Sequence, residues 1–473
     1  MKILFATSEA GPFMRTGGLG DVSQALPSAL RKEKQDVRVI MPLYDGIKDV
    51  YRQTMQFVGS KVVMLGWRQQ YAGVFFYEYE GVKYYFIDNE YYFKRFGIYG
   101  HYDDGERFAF FSKAVLDVIP LIDFVPDVIH CNDWQTGLVP VYLDAFYRGD
   151  ERYANIRTVI TIHNIEFQGS MDKSCISEVF GLPASHASVV EYAHSANMLK
   201  GGIEASHAVT TVSRTYAEEI LNPYFAYGLE DILSKRRYKI RGILNGIDVD
   251  MYNPLKDEAL FARYSAKSVA KKAVNKKGLQ ELVNLPVCEK PVIGMVTRLT
   301  NQKGMDLVME VIEDILSMDI QMVVLGTGDW KYETALNELS RRYANKLAVI
   351  INFSKDIASK IYAGSDMFLM PSKFEPCGLS QMIAMRYGSV PIVRETGGLK
   401  DTVPAFNPTD LTGRGFTFKT YNAYDMLDAI RRAVGTYYDK EKWSAVVNNA
   451  MTGDYGWKTS AKEYVKLYTE ITK

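Results

Sequence analysis

Short apolar runs separated by longer amphipathic stretches recur along the whole chain. In the first half these runs predict strands at residues 3–6, 37–41, 128–130, 158–162 and 208–212. In the second half they predict strands at 292–296, 322–325, 347–351, 367–370 and 390–393. Fully apolar strands that alternate with helices are typical of parallel sheets covered on both faces. The pattern therefore predicts an α/β protein with two doubly wound parallel-sheet domains in tandem.

The alternation is interrupted near RGILNGIDVDMYNP, where two glycines and a proline fall close together. We place the domain boundary there, so that residues 1–242 form the first domain and residues 243–456 the second. The last stretch, 457–473, has apolar residues at helical spacing, which does not say on which domain it packs. The polar stretch 256–284 is predicted to be a solvated helical face, in preference to a basic helix that binds nucleic acid.

Aromatic residues are concentrated in one segment, since 14 of the 32 residues from Tyr71 to Tyr102 are aromatic. The sequence GVFFYEYEGVKYYFID alternates around Glu80-Gly81, which predicts a β-hairpin on the first domain. Packing within the hairpin explains most of these rings. The alternative is a platform on which sugar rings stack.

The charge balance excludes several classes of partner. Lysine plus arginine number 56 and aspartate plus glutamate also number 56, so the net charge is zero. A surface this balanced argues against nucleic acid or anionic lipid, although a local cationic pocket for a phosphorylated molecule remains compatible. The four cysteines form no disulfide or metal-binding pattern, and no apolar stretch has the length of a membrane span. We expect a cytoplasmic protein.

A first candidate anion site follows the first strand. Glu9 is followed by RTGGLGD, residues 15–21, and then by an amphipathic helix. A Gly-Gly turn before a helix presents backbone N–H groups and the positive end of the helix dipole, which suits phosphate, and Arg15 would add a charge-assisted contact. Taken alone, the motif is as compatible with a plain turn. It is not GxGxxG, which argues against a nicotinamide dehydrogenase.

Two further motifs end strands in the first domain. In HCNDWQTGL, residues 130–138, Asp133 is predicted to cap the following helix. In TIHNIEFQG, residues 161–169, His163 and Asn164 emerge at the C-terminal end of a strand, the edge where open α/β sheets bind ligands. A structural histidine and a functional one are equally compatible with this position.

The second domain carries the densest cluster of candidate residues. Arg298 and Lys303 lie in the loop after its first strand, where two cations would hold a diphosphate and stabilise the charge on it as it leaves. A solvated loop is the alternative. Glu375 precedes a helix N-terminus, and the TGGL at 396–399 repeats the TGGL at 16–19. Four repeated residues are only a weak indication of two related halves.

Together, these motifs resemble those of the bacterial glycogen and starch synthases, glycosyltransferase family 5. The motifs are, in order, RTGGLGDV, HCNDWQTGL, TIHNIEFQG, LNGID, VTRLTNQKG, FEPCGLSQM and TGGLKDTV. Each alone is weakly specific, but in this order they cover nearly the whole chain. The resemblance implies a GT-B fold, in which two Rossmann-like domains face a deep cleft and the C-terminal helix, 457–473, packs back on the first domain.

The resemblance also implies a reaction. Glucose would move from a nucleotide sugar, usually ADP-glucose, to the non-reducing 4-OH of an α-1,4-glucan such as glycogen, with retention of configuration. Two alternatives stay open: a UDP-glucose-using or other GT-B glucosyltransferase, and a non-catalytic glucan-binding paralogue. We expect no metal and no cofactor besides the donor, because cations at Arg15, Arg298 and Lys303 stand where a metal site would otherwise be needed. The sequence does not indicate an oligomeric state.

By resemblance, each motif residue acquires a role. Arg298 and Lys303 would hold the diphosphate, Glu375 would contact the transferred glucose, and His163 would place its backbone carbonyl near the anomeric carbon. The other residues implied to bind substrate are Glu9, Arg15, Gly18, Asp21, Tyr99, Asn164, Asn245, Phe353, Cys377, Gly378, Leu379, Thr396, Gly397 and Gly398.

Some of these implied contacts are specific. Gly18 and Asp21 would face the donor, Tyr99 would approach the glucose, and Phe353 would lie against the adenine. The backbone amides of residues 396–399 would cradle phosphate.

The chain departs from the family pattern at three positions. Arg15 stands where the family usually has lysine, which keeps the charge but replaces a point charge with a planar fork, so donor preference is expected to differ. Asn132 and Gln135 replace members of a histidine-rich motif. The resemblance places them toward the acceptor, so an effect on chain-length preference is expected.

Overall fold

The computed structural model describes residues 1–473, which divide into two compact units. The first unit comprises residues 1–246 and 457–473, and the second comprises residues 247–456. The division falls after Gly246, a little later than the predicted boundary after residue 242. No helix in the structure combines the length and the apolar character that crossing a membrane requires. All four cysteines are free thiols.

A nine-stranded sheet forms the centre of the first unit. The strands of this unit are β1 (Lys2–Ala6), β2 (Asp36–Pro42), β3 (Gln56–Leu65), β4 (Arg68–Tyr79), β5 (Val82–Asp88), β6 (Val128–Asn132), β7 (Arg157–Ile162), β8 (Ser170–Asp172), β9 (Glu191–Tyr192), β10 (Ser195–Asn197), β11 (Ala208–Thr211) and β12 (Ile240–Gly242). The main sheet has the order β12-β11-β7-β6-β1-β2-β5-β4-β3, and a small sheet has the order β8-β10-β9. The main sheet is parallel from β12 to β5, with β4 and β3 added antiparallel. The five strands predicted in this half are confirmed.

Helices cover this sheet. They are α1 (Gly18–Lys32), α2 (Asp49–Arg52), α3 (Glu90–Phe93), α4 (Asp104–Asp117), α5 (Leu138–Tyr142), α6 (Glu151–Ala154), α7 (Cys175–Glu178), α8 (Ala184–Val190), α9 (Met198–Ala205), α10 (Arg214–Glu219), α11 (Pro223–Ala226) and α12 (Glu230–Lys235). Helix α1 buries Val22, Leu26 and Leu30, which recur every four residues and so share one face. That packing fixes the direction of α1 and therefore the position of its N-terminus beside β1.

The predicted hairpin is confirmed as β4 and β5, with Tyr79 paired to Val82. Its two turn residues, Glu80 and Gly81, have φ values of 49° and 74°, as a tight two-residue hairpin turn requires. Most rings on the hairpin pack against other aromatic rings of the first unit. Phe13, for example, lies edge-on to the rings of Tyr77, Tyr79, Tyr84 and Phe86, along with that of Tyr51 from α2. Core packing therefore accounts for much of the aromatic segment.

The second unit is built on a six-stranded parallel sheet. Its strands are β13 (Val292–Val296), β14 (Gln321–Leu325), β15 (Leu347–Ile350), β16 (Met367–Met370), β17 (Val390–Arg394) and β18 (Phe416–Phe418), in the order β15-β14-β13-β16-β17-β18. Its helices are α13 (Lys272–Leu282), α14 (Met305–Ser317), α15 (Trp330–Arg342), α16 (Lys355–Gly364), α17 (Ser380–Arg386), α18 (Gly397–Thr402), α19 (Ala423–Tyr438) and α20 (Lys440–Met451). This strand order is that of the Rossmann fold. The five strands predicted here are confirmed.

The polar stretch 256–284 corrects the prediction of a solvated helical face. Within it, Lys272 and Lys276 of α13 are both buried. Lys272 Nζ donates to the carbonyl oxygens of Ala363 (2.6 Å) and Tyr387 (3.1 Å), at the C-terminal ends of α16 and α17. Lys276 pairs with Asp366 at 2.8 Å. These lysines are buried because helix C-terminal carbonyls and one carboxylate take the place of water.

The last helix, α21 (Lys458–Thr472), belongs to the first unit. The hydroxyl of Tyr468 lies 2.7 Å from Nδ1 of His130, which is in β6 and completely buried. The other ring nitrogen of His130 lies 2.6 Å from Thr161 Oγ1 in the neighbouring strand β7. The C-terminal helix is thereby hydrogen-bonded to the centre of the nine-stranded sheet.

Candidate active site

Three neighbouring strands of the first unit bring candidate residues to one sheet edge. Glu9 follows β1, Asp133 follows β6, and His163 follows β7, and these three strands are adjacent and parallel. The carboxyl ends of parallel strands share an edge, and the strand order reverses between β1 and β6. Such a switch point is where open α/β sheets bind ligands.

His163 is held by hydrogen bonds at both its main chain and its ring. Its backbone N–H donates to Asp133 Oδ1 at 2.7 Å, and its Nε2 lies 2.9 Å from Asn132 Oδ1. Burial lowers the pKa of His163 to about 3, so the ring is neutral at pH 7. The His163 ring is therefore a fixed, uncharged hydrogen-bonding group.

Asp133 does not cap a helix, which corrects the prediction from sequence. No side-chain bond caps the short 3₁₀ turn Trp134–Thr136 that follows it, and its carboxylate accepts the His163 N–H instead. Its φ of 54° with ψ of −173° is a sparsely populated conformation, typical of residues constrained at functional sites. Burial raises the pKa of Asp133 to about 7. Sequence reasoning missed this role, although Asp133 directly follows the strand beside that of His163.

Asn132 and Gln135 lie inside the first unit, since their exposed fractions are 0% and 6%. Asn132 supports His163 through the contact described above. The expectation that these two residues lie toward the acceptor stays a prediction, and very little of either side chain is exposed in this structure.

Glu9 anchors the glycine-rich turn ahead of α1. It is 3% exposed, and its Oε2 accepts hydrogen bonds from Thr16 N at 2.5 Å and Thr16 Oγ1 at 2.9 Å. Burial raises the pKa of Glu9 to about 7, against the lowering effect of the bonds from Thr16. Glu9 thus fixes Thr16, the second residue of RTGGLGD, by two hydrogen bonds.

The N-terminus of α1 has the form expected of an anion site. The helix begins at Gly18, no side chain caps it, and Gly17 beside it adjoins open space. First-turn amides have no acceptor within their helix. Arg15 forms an ion pair with Asp21 at 2.6 Å, so the cation is already partly balanced by a carboxylate on the first turn.

Tyr99, Asn164 and Asn245 have different surroundings. The hydroxyl of Tyr99 lies 2.7 Å from the Oγ of Ser8, next to Glu9, so Tyr99 belongs to the same sheet edge. Asn164 Oδ1 accepts from Glu166 N at 3.1 Å and shapes the loop after His163. Asn245 is buried near the end of the first unit, and its Oδ1 has no hydrogen-bond partner.

In the second unit, Lys303 and Glu375 meet at the corresponding switch point. Nζ of Lys303 lies 2.6 Å from Glu375 Oε2, which also accepts from Ser372 Oγ at 3.0 Å. The two residues follow the adjacent strands β13 and β16. Gly304 brings the loops together, because its φ is 77° and any Cβ there would overlap the carbonyl oxygen of Pro371.

Two further candidates of the second unit are exposed. Arg298 lies in the loop after β13, and its Nη2 donates to Gln302 Oε1 at 3.2 Å. Phe353 follows β15 and is 82% exposed. A ring this exposed has both of its faces available to a flat ligand.

The segments at 377–379 and 396–399 pack against each other around Glu375. Gly378 has a φ of 69° and precedes α17, with Leu379 next to it, and Cys377 is buried. The amide of Gly398 donates to the carbonyl oxygen of Glu375 at 3.1 Å. Gly397, with a φ of 44°, and Gly398 leave no room for a Cβ beside the carbonyls of Glu375 and Cys377.

The phosphate cradle predicted at 396–399 stays a prediction, and several of its amides are hydrogen-bonded within the protein in this structure. The amides of Thr396 and Leu399 donate to the carbonyl oxygens of Arg394 and Thr396, at 2.9 and 3.0 Å, and that of Gly398 is also occupied. In this structure these amides hold the backbone of α18 and Glu375 in place.

Each doubly wound unit thus carries chemically active groups at its own switch point: buried carboxyl groups and a neutral imidazole in the first unit, and a lysine–glutamate pair in the second. No group of three or more His, Cys, Asp or Glu side chains is placed to hold a metal ion. Two Rossmann-like units with charged groups at both switch points define a GT-B glycosyltransferase, and the chain matches two such family descriptions. Residues 2–235 match "Starch synthase catalytic domain" and residues 281–449 match "Glycosyl transferases group 1".

Full-length relatives specify the family. The chain is 52% identical over 476 residues to the glycogen synthase of Clostridium acetobutylicum, covering 100% of each chain. It is 49% identical over 474 residues to that of Anoxybacillus flavithermus, covering 100% of this chain and 98% of that one. The solved catalytic domain of starch synthase IV from Arabidopsis thaliana, bound to ADP and acarbose, matches with a TM-score of 0.92 at 33% identity, covering 100% and 99% of the chains. The chain belongs to the glycogen and starch synthase family and is a hexosyltransferase of GT-B fold.

Proposed function

We propose that this chain transfers glucose from ADP-glucose to the non-reducing end of an α-1,4-glucan, with retention of configuration. The full-length identity to glycogen synthases supports the reaction, and the ADP in the related starch synthase structure supports the donor nucleotide. The free cysteines are compatible with a reducing compartment, so we place the reaction in the cytoplasm.

The contact between Lys303 and Glu375 is the observation that carries this proposal. Departure of ADP leaves negative charge on the diphosphate, and a fixed ammonium and guanidinium stabilise that charge. Lys303 supplies the ammonium and Arg298 the guanidinium. Both contacts to Glu375 use Oε2, which leaves Oε1 for a sugar hydroxyl.

Retention follows without a covalent intermediate in this proposal. We assign Glu375, whose Oε2 is bonded to Lys303 and Ser372, to sugar binding, and Asp133 to holding the His163 main chain, so neither carboxyl group is given the role of nucleophile. The incoming hydroxyl then attacks from the face that the diphosphate leaves. A glucosyl ester on Glu375, detected by mass spectrometry of acid-quenched enzyme, would overturn this route.

One assay tests donor, acceptor and metal requirement together. Labelled glucose from ADP-glucose or UDP-glucose is offered with glycogen, in the presence and absence of a chelator, to the wild type and to Lys303→Ala. We expect transfer from ADP-glucose that the chelator leaves unchanged and that Lys303→Ala loses.

Other outcomes of this assay identify the alternatives. Preference for UDP-glucose would point to the altered Arg15 site. Glycogen binding without transfer from either donor would indicate a non-catalytic paralogue, and loss of activity with chelator would overturn metal independence.

A further inference from the structure

The amide of Asn132 has only one orientation that its neighbours allow. Asn132 ends β6 and is completely buried. Its Nδ2 lies 3.0 Å from the carbonyl oxygen of Ala6 and 3.5 Å from that of His130. A carbonyl oxygen only accepts hydrogen bonds, so the donating end of the amide must face these two groups. The accepting end, Oδ1, therefore faces His163.

This orientation determines which nitrogen of His163 carries the proton. Oδ1 of Asn132 lies 2.9 Å from His163 Nε2, and an amide oxygen can only accept, so Nε2 must be the donor. A neutral imidazole has one protonated nitrogen, which leaves a lone pair on Nδ1. We propose that Asn132 is a positioning residue that holds His163 as the Nε2–H tautomer, so that Nδ1 accepts a hydrogen bond from a hydroxyl of the bound sugar.

Two further observations support this assignment. Burial keeps the His163 ring neutral, because it lowers the pKa of the ring to about 3. Only a neutral ring has two alternative tautomers, so a neighbour can select one of them. The main chain of His163 is fixed independently by Asp133, which leaves ring protonation as the property that Asn132 controls. A histidine at this position could donate or accept and would not enforce one tautomer.

The proposal gives Asn132 a role that a merely buried residue would not have, namely control of the protonation site on the His163 ring. The identity of the ligand as a sugar rests on the proposed function, whereas the tautomer does not. Fixing an acceptor also predicts which groups the site tolerates: a hydroxyl that faces Nδ1 must donate, so a fluorine in its place loses the hydrogen bond.

The experiment measures the tautomer directly in the full-length chain labelled with ¹⁵N-histidine. Long-range ¹H–¹⁵N spectra distinguish a protonated ring nitrogen from one with a lone pair, and His163→Gln assigns the signals. The variants are Asn132→Leu, which removes the acceptor at similar size, and Asn132→Asp, which retains it. Gln135→Leu is the matched control, because Gln135 is buried in the same motif without a bond to His163. His130, whose ring is bonded to two hydroxyls, serves as an internal reference.

We expect Nε2–H in the wild type, in Asn132→Asp and in Gln135→Leu, and a mixture of tautomers in Asn132→Leu with unchanged His130 signals. Glucose transfer by Asn132→Leu should fall about tenfold in kcat with a smaller change in KM, as expected for one misaligned hydrogen bond. Asn132→Asp should retain most activity.

Two results would overturn the proposal: a protonated Nδ1 in the wild type, or an unchanged tautomer in Asn132→Leu. If Asn132→Leu does not fold, an Nδ1 that is protonated while Nε2 is not, in Asn132→Asp, would be equally decisive. A wild type that transfers no glucose but shows the expected tautomers would contradict the proposed function and leave the role of Asn132 standing.

Discussion

Lys303 and Glu375 form the side-chain pair on which the proposed chemistry depends most. Their side chains are 17% and 7% exposed, so water screens the ion pair weakly. We expect Lys303→Ala to lower kcat by roughly 10²–10³-fold, the scale seen when one preorganised group that stabilises transition-state charge is removed. Lys303→Arg keeps the charge and should lose less. Steady-state kinetics with ADP-glucose measure both.

The relative effects of Lys303→Ala on kcat and on KM distinguish two roles for Lys303. A rise in KM with unchanged kcat in Lys303→Ala would show that the ammonium binds ground state and transition state equally, and would contradict the leaving-group role. Circular dichroism and urea unfolding of the same variants check that the loss is not a folding defect, because Glu375 is left with Ser372 as its only remaining side-chain partner.

The raised pKa of Glu9 predicts that the stability of the protein depends on pH. Burial raises its pKa from an ordinary 4.5 to about 7, so the folded state binds its proton more tightly than the unfolded state does. The stability that this proton contributes is complete below pH 4.5 and is lost as the pH rises to about 7. The Gln side chain of Glu9→Gln does not titrate, so this variant does not lose that stability. The free energy of unfolding of Glu9→Gln minus that of the wild type should therefore rise by roughly 3 kcal/mol from pH 4.5 to 7.

Urea unfolding of both proteins between pH 4.5 and 7.5 measures this difference. Asp133, whose pKa is also about 7, is present in both proteins and largely cancels. A difference that stays constant with pH would show that Glu9 has an ordinary pKa in the folded protein.

Among the secondary-structure elements, the regular strands could be predicted from the sequence. The contacts that these elements make with one another could not. The parallel strands were predicted because an inner strand must be apolar on both faces. Strand β3 was missed because Gly59, Ser60 and Lys61 interrupt its apolar pattern, and at the sheet edge its exposed face tolerates them. Likewise, Lys272 looked solvated because no local pattern reveals the helix ends that it meets.

In the candidate site, too, individual residues could be predicted from the sequence, whereas the contacts between them could not. Glu375 and Lys303 were found because each follows a strand in a recognisable motif. Their contact depends on β13 and β16 being neighbours, which chain order does not state. The support of His163 by Asn132 and Asp133 depends in the same way on β6 lying beside β7.

The close packing of α18 under Glu375 predicts a sharp difference between two glycines. A Cβ at Gly398 would overlap the carbonyl group of Cys377, whereas Gly435, exposed in α19, has nothing within reach. Gly398→Ala should therefore destabilise the second unit by several kcal/mol. Gly435→Ala should stabilise α19 by about 0.5–1 kcal/mol, because alanine favours a helix.

Thermal and urea unfolding of both variants test this prediction. If the two substitutions have similar effects, the contact between α18 and the Glu375 segment is not as tight as the structure has it. Glucose transfer provides a second measurement. It should fall in Gly398→Ala, which displaces the Glu375 main chain, and not in Gly435→Ala, which lies away from it.

At the scale of the whole molecule, the two units carry different parts of the proposed chemistry. The second unit holds the residues assigned to the donor, Arg298, Lys303, Phe353 and Glu375, while the first holds His163 and its supports. A donor nucleotide that binds the folded second unit stabilises it by mass action, by about 2.7 kcal/mol at one hundred times Kd. Binding of ADP alone should therefore be visible without any acceptor.

Hydrogen exchange of the full chain with and without ADP locates this effect. We expect ADP to slow exchange most in the loops after β13 and β16 and at Phe353, because bound phosphate and adenine restrict the backbone there. Gly435→Ala should show the same protection, and Lys303→Ala should need more ADP to reach it. Protection confined to segments of the first unit, or none at ADP concentrations that support turnover of ADP-glucose, would contradict the assignment of the donor site to the second unit.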